Sequence, residues 1–107
     1  MSDYQMITDL RTVLPVIPEE SIVSRTLYQS DTVRVILFGF AAGQELSEHS
    51  TPMAATLHVL SGQATVTLGA ESFEVGPGAW AQMPPKLPHS IRAHAEPVLM
   101  VLTMAKA

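Results

Sequence analysis

The chain has 107 residues, of which 47% are hydrophobic and 15% are charged, and this composition predicts one packed domain rather than a disordered segment. A formal net charge of −4, without any cluster of lysine or arginine, disfavours a nucleic-acid partner. The absence of cysteine excludes disulfides, thiolate metal ligands and a cysteine nucleophile.

The N-terminal segment is expected to be an arm. Residues 1–12 lack the apolar core of a signal peptide, and no apolar run approaches the roughly 20 residues that cross a bilayer, so we expect a cytoplasmic protein without a membrane partner. Pro15 and Pro18 favour an extended backbone. Residues 1–20 are therefore predicted to lie against the body of the protein or against a partner, and residues 21–107 to form a single domain.

The remainder of the chain reads as a series of short strands. Nine β-prone segments alternate with turns, at residues 22–28, 33–40, 45–49, 55–60, 64–68, 71–75, 79–83, 89–93 and 98–104. Their connections are too short for crossover helices, so neighbouring strands should be antiparallel. This pattern predicts an all-β sandwich or barrel, but alternation alone does not choose among a jelly roll, a lipocalin-like barrel and an immunoglobulin sandwich.

Two spaced motifs make that choice. The first is Gly43-x5-His49-x-Thr51-x3-Ala55-x6-Gly62, and the second is Gly78-x5-Pro84-x-Lys86-x2-His89. Together they resemble the two motifs of the cupin superfamily, in which the first reads Gly-x5-His-x-His-x3-4-Glu-x6-Gly and the second Gly-x5-Pro-x-Gly-x2-His-x3-Asn. The resemblance covers residues 33–104 and implies a double-stranded β-helix, also called an RmlC-like or jelly-roll barrel.

The resemblance also implies where a metal would bind. Family members hold a divalent ion at the positions of His49, Thr51, Ala55 and His89, where imidazoles and a carboxylate suit iron, manganese, nickel, copper or zinc. Residues i and i+2 of a strand share a face, so residues 49 and 51 are expected to point into the barrel together. At two of the four positions, however, the usual ligand is absent: Thr51 has a hydroxyl group and Ala55 has a methyl group.

His58 is the next candidate for a third imidazole. By alternation it points away from the face that carries Ala55 and Leu57, and only a β-bulge would reverse this orientation. His94 lies an odd number of residues from His89, which raises the same objection. The expected metal ligands are therefore His49 and His89, with His58 as a weaker candidate.

Two functions remain open from the sequence. The first is a small-molecule-binding or sensory cupin, with a pocket lined by His49 and His89 together with Thr51, Ala55, Leu57, Trp80 and Met83. The second is a metal-dependent enzyme of the dioxygenase or isomerase type, in which His58 or a bound substrate completes the coordination. A homodimer is expected in either case, because Leu60 shares the outward face of His58.

Overall fold

The computed structural model describes residues 4–106 and shows two antiparallel sheets packed face to face. A short 3-10 helix at Leu10–Thr12 precedes the strands β1 (Ile22–Gln29), β2 (Val33–Phe40), β3 (Glu45–His49), β4 (Ala54–Ser61), β5 (Ala64–Leu68), β6 (Glu71–Val75), β7 (Trp80–Met83), β8 (His89–Ala93) and β9 (Val98–Ala105). Every predicted strand is present, and no end differs from its predicted position by more than a single residue. The all-β prediction is confirmed.

The order of the strands is that of a jelly roll. One sheet has the order β1-β2-β9-β4-β7 and the other β3-β8-β5-β6, so strands that are distant in sequence lie side by side. β3, β6, β1 and β7 are the edge strands of the two sheets. The first motif consequently includes β3 of the smaller sheet and β4 of the five-stranded sheet, and the second motif ends at His89 of β8, the strand that pairs with β3.

The core fills the space between the sheets. Leu57 of β4 pairs with Leu102 of β9, and Val66 of β5 pairs with Ile91 of β8; all four side chains are buried. The period of two along each strand produces this arrangement, because alternate side chains of both sheets face inward. Each fully buried aliphatic side chain of this kind contributes about 1.5–3 kcal/mol through removal from water.

The arm contacts the outer face of the five-stranded sheet. The side-chain amide of Gln5 donates to the carbonyl oxygen of Leu27 at 2.8 Å. Further along, Ile17 lies so close to Gly39 that a Cβ there would be 2.9 Å from the Ile17 side chain. Leu37 shares this outer face and is fully buried. The five-stranded sheet is therefore covered on its inner face by the smaller sheet and on part of its outer face by the arm.

The 3-10 helix within the arm has a charged N-cap. The carboxylate of Asp9 accepts from the backbone N–H of Arg11 and from its guanidinium, each at 3.0 Å. These hydrogen bonds lower the pKa of Asp9. Among residues 4–106, no helix has the length and apolar character needed to cross a membrane.

Gly62 closes the turn between β4 and β5 and has no room for a side chain. Its φ is +85°, and a Cβ would lie 2.2 Å from the carbonyl oxygen of Pro97. Gly43 also has a positive φ, of +75°, but nothing lies within 4 Å of the corresponding Cβ position. The first motif therefore ends at a position where only glycine fits.

Candidate functional site

The two motif histidines meet at one end of the smaller sheet. His49, the last residue of β3, is the register partner of His89, the first residue of β8. Their ring centroids are 4.2 Å apart and the ring planes are inclined by 60°. His89 is only 3% exposed, whereas His49 is exposed to solvent. The pair therefore has one buried and one accessible imidazole.

A β-bulge brings His49 to this position. Leu46 pairs with Ile91, and continued regular pairing would set Glu48 opposite His89. The register shifts between Leu46 and His49, so that His49 takes that place instead. Glu48 is exposed, as alternation from an inward His49 predicts. Because of the inserted residue, an imidazole rather than a carboxylate lies opposite His89.

Backbone hydrogen bonds fix both rings in the same way. The Nδ1–H of His49 donates to the carbonyl oxygen of Ser47, and that of His89 donates to the carbonyl oxygen of Leu87, each at 3.0 Å. A carbonyl oxygen only accepts, so both Nδ1 atoms carry a hydrogen. In the neutral rings, each Nε2 then has a free lone pair. The site presents two acceptor nitrogens of fixed orientation.

Thr51 lies in the loop that follows β3, two residues after His49, and not on the strand itself. β3 ends at His49, which makes the expectation that residues 49 and 51 share a strand face wrong. The Oγ1 of Thr51 accepts from the backbone N–H of Met53 at 3.2 Å, and its carbonyl oxygen accepts from the N–H of Lys86 at 2.7 Å. Thr51 therefore joins the loop after β3 to the loop before β8.

The loop before β8 contains a strained residue. Lys86 has a φ of +70°, in the left-handed region that favours glycine, and it occupies the position where the second motif usually has glycine. The N–H of Leu87 donates to the carbonyl oxygen of Pro84 at 3.3 Å and closes a turn. This turn sets the carbonyl oxygen of Leu87 that holds the His89 ring.

The remaining motif position does not supply a metal ligand. Ala55 is 3% exposed and pairs with Met83 on one side and Met104 on the other, all on the inner face. Within residues 4–106, no three side chains of His, Cys, Asp or Glu lie together so as to hold a metal ion. Catalytic and structural sites normally have three or four protein ligands. The side chains of residues 4–106 therefore do not by themselves fit a metal centre.

The other two histidines lie on outer faces. His58 is exposed and pairs with Val101 and Trp80, which confirms the outward orientation that alternation predicts. His94 follows β8, and its Nε2 lies 2.9 Å from the carboxylate of Glu74 and 2.7 Å from the hydroxyl of Thr65. Neither ring reaches the His49–His89 pair.

The residues that the sequence predicts to line a single pocket lie in three separate parts of the structure. Ala55 and Met83 are packed in the core, and Thr51 lies in a loop. Leu57 and Trp80 line a cavity of about 310 Å³ at the edge of the barrel between β6 and β7. Sequence reasoning missed the other walls of this cavity. Four of them belong to β5 and β6, outside both motifs, and the remaining three, Ala79, Ala81 and Gln82, occupy positions that the second motif leaves unspecified.

Comparison with known proteins agrees with this geometry. A cupin-domain family model matches residues 36–104. A conserved protein of unknown function from Streptococcus pyogenes is 31% identical and superposes with a TM-score of 0.85, over 99% of this chain and 91% of that one. A cupin superfamily protein from Desulfitobacterium hafniense is 24% identical, with a TM-score of 0.85 over 92% of this chain and 88% of that one.

The same fold also occurs in an enzyme. A DMSP lyase from Ruegeria pomeroyi superposes with a TM-score of 0.73 at 21% identity, over 78% of this chain and 46% of that one. No curated protein matches the sequence. The family match, the two motifs and the jelly-roll topology together lead to one conclusion: the chain belongs to the cupin family.

Proposed function

We propose that this cupin is a small-molecule-binding or sensory protein whose ligand is held by His49 and His89, with Thr51 at the rim of the site. The observation that carries the proposal is the pairing of two imidazoles whose Nδ1–H groups are already engaged with backbone carbonyls. Such rings cannot rotate freely without losing a hydrogen bond. They are preorganised to receive a group at Nε2.

The fixed rings define the chemistry of that group. A neutral imidazole with its hydrogen on Nδ1 can only accept at Nε2, so the ligand has to donate. A hydroxyl or an N–H group meets this requirement, whereas a carboxylate does not unless a ring is first protonated. His89 is 3% exposed, and a hydrogen bond formed at its buried ring is stronger than the same bond in open water.

The alternative function is a metal-dependent enzyme, and the closeness of the two imidazole rings, whose centroids are 4.2 Å apart, is the observation that favours it. Within residues 4–106 the site has only the two imidazoles of His49 and His89, and His58 faces away, so a metal there needs a further donor. Iron, manganese, nickel, copper and zinc are the candidate ions. Elemental analysis of protein purified without an affinity tag separates the two functions.

The proposal includes a homodimer through the outer face of the five-stranded sheet. Val16 of the arm and Tyr28 of β1 are 72% and 52% exposed. Exposed apolar groups of this size are common at subunit interfaces. Leu60, which the sequence placed outward beside His58, instead lies at a β-bulge of β4 and is half-buried. The interface is therefore centred on the arm and β1 rather than on Leu60.

A thermal-shift comparison tests the ligand site. We would screen phenols, polyols and amines, each beside an O-methyl or N-methyl analogue that lacks the donated hydrogen. Hydroxyl or N–H compounds should raise the melting temperature of the wild type and of His58→Ala, but not of His49→Ala or His89→Ala. Stabilisation that survives in both of the latter variants would contradict the proposal. So would a stoichiometric metal that His49→Ala removes.

A further inference from the structure

The gap between the two sheets at their β6 and β7 edges contains a second candidate site. β6 ends the four-stranded sheet and β7 ends the five-stranded sheet, so no ladder closes the barrel between them. The cavity there has a volume of about 310 Å³. It is lined by Leu57, Val66, Leu68, Phe73, Val75, Ala79, Trp80, Ala81 and Gln82. A volume near 300 Å³ lies at the lower end of the range for small-molecule pockets.

The sequence of β7 explains why the space exists. Ala81 pairs with the inward-facing Leu57, and just before β7 the carbonyl oxygen of Ala79 accepts from the backbone N–H of Val59. The inward-facing side chains of this edge that line the cavity are therefore two methyl groups. On the opposite sheet, Val66 pairs with Phe73, and those larger side chains do not fill the space.

The lining selects an uncharged ligand. Eight of the nine lining residues are apolar, the ninth is the neutral amide of Gln82, and no charged side chain is among them. A charged ligand would lose its hydration without gaining a counter-charge. Phe73 and Trp80 also leave aromatic surface in contact with water, at 44% and 64% exposure. Flat aromatic faces of this kind pack well against planar rings.

Neither His49 nor His89 is among the residues that line this cavity. The cavity comes nearest to the pair at β5, which contributes Val66 and Leu68 to the lining and lies beside β8, the strand of His89. His49, on β3, lies one strand farther away. Leu68 is the only lining residue that pairs with His89 across the sheet.

We propose that the gap between β6 and β7 is a binding site for a neutral, planar, largely apolar small molecule in contact with Phe73 and Trp80. The site does not depend on any ligand of His49 and His89. Trp80 is the only tryptophan of the chain, so its emission reports directly on occupancy.

The test is a fluorescence titration with N-phenyl-naphthylamine, a neutral aromatic fluorophore. The probe should quench Trp80 emission saturably, with one molecule bound per chain. Its sulfonated counterpart, anilinonaphthalene sulfonate, should bind at least about tenfold more weakly, because the cavity offers no cation. Absence of saturable quenching, or equal affinity for the two probes, would overturn the proposal.

Matched variants locate the probe. Ala81→Phe fills the cavity and should weaken binding at least about tenfold, whereas Ala95→Phe, in an exposed loop, should leave it unchanged. Phe73→Ala, at an exposed position of an edge strand, provides a second variant that preserves the core; Tyr4→Ala removes an exposed aromatic ring elsewhere and is its control. Unaltered affinity in Phe73→Ala and Ala81→Phe would overturn the proposal.

The same titration in His49→Ala distinguishes this site from the proposed histidine site. Affinity for N-phenyl-naphthylamine should be unchanged in that variant, whatever the thermal-shift screen shows. A parallel loss would mean that one continuous site includes both regions, and the proposal of a separate cavity would then fail.

Discussion

Replacing Ala55 by glutamate should turn the histidine pair into a complete metal site. Ala55 is 3% exposed and lies on the inner face between Met83 and Met104, at the position where the cupin motif has its carboxylate. Without metal, a carboxylate buried there is unpaired and should destabilise the fold by several kcal/mol. Total stabilities of small domains are only about 5–15 kcal/mol, so this loss should be measurable by thermal melting.

Added metal should reverse that loss. Two imidazoles and one carboxylate form a set that binds divalent transition metals. At a metal concentration about 100 times the dissociation constant, binding stabilises the fold by about 2.7 kcal/mol. For a domain of this size, that corresponds to a rise in melting temperature of roughly 10–20 °C. Melting curves of Ala55→Glu with and without Ni²⁺ or Zn²⁺ measure this difference.

Two controls make the result specific to the site. Ala55→Gln has nearly the same size and a much weaker ligand, so it should be destabilised without recovery by metal. Adding His49→Ala to Ala55→Glu should abolish the recovery, whereas adding His58→Ala should not. A rise in melting temperature no larger than that of the wild type would show that position 55 does not face the histidine pair.

Further predictions concern the loops and the assembly. Lys86→Gly should raise the free energy of unfolding by about 1 kcal/mol, because glycine adopts a φ of +70° without strain; chemical denaturation measures it, and a loss of stability would contradict the assignment. Gly62→Ala should cost at least about 2 kcal/mol more than Gly43→Ala, since only the former meets the carbonyl of Pro97, and equal losses would refute the steric argument. Sedimentation velocity should show a dimer that Tyr28→Glu dissociates; a monomeric wild type would remove the proposed interface.

The strands could be predicted from the sequence because they follow a period of two and end at clear turn residues. β2 and β5 begin and end where their β-branched and apolar runs do. The motif spacing identified the fold through its resemblance to the cupin motifs, and the structure places His49 and His89, which are far apart in sequence, side by side in one sheet. Their proximity was implied by the family resemblance, not by alternation.

The details of the site depend on features that a strand pattern does not contain. A single-residue bulge after Leu46 decides that His49 rather than Glu48 faces His89. The end of β3 at His49 leaves Thr51 in a loop, which counting by twos could not foresee. Bulges and strand ends are set by pairing with a distant strand, so they appear only when the sheet is assembled.

The cavity between β6 and β7 could not be predicted from the sequence for a related reason. Its space arises where the small residues Ala79 and Ala81 of one sheet face Val66 and Phe73 of the other. The two pairs belong to different sheets, and they face each other because of the way in which the edge strands of the two sheets pack. Periodicity shows which side chains point inward, but it does not show which of them leave a gap.

The most direct test of the proposed site is the protonation state of its two rings. Long-range ¹H–¹⁵N NMR spectra distinguish a hydrogen on Nδ1 from one on Nε2, and His49→Ala and His89→Ala assign the signals. When the rings are neutral, we expect both His49 and His89 to carry hydrogen on Nδ1 and to leave Nε2 as an acceptor. A hydrogen on Nε2 of either ring would contradict the proposal that these two atoms accept from a ligand.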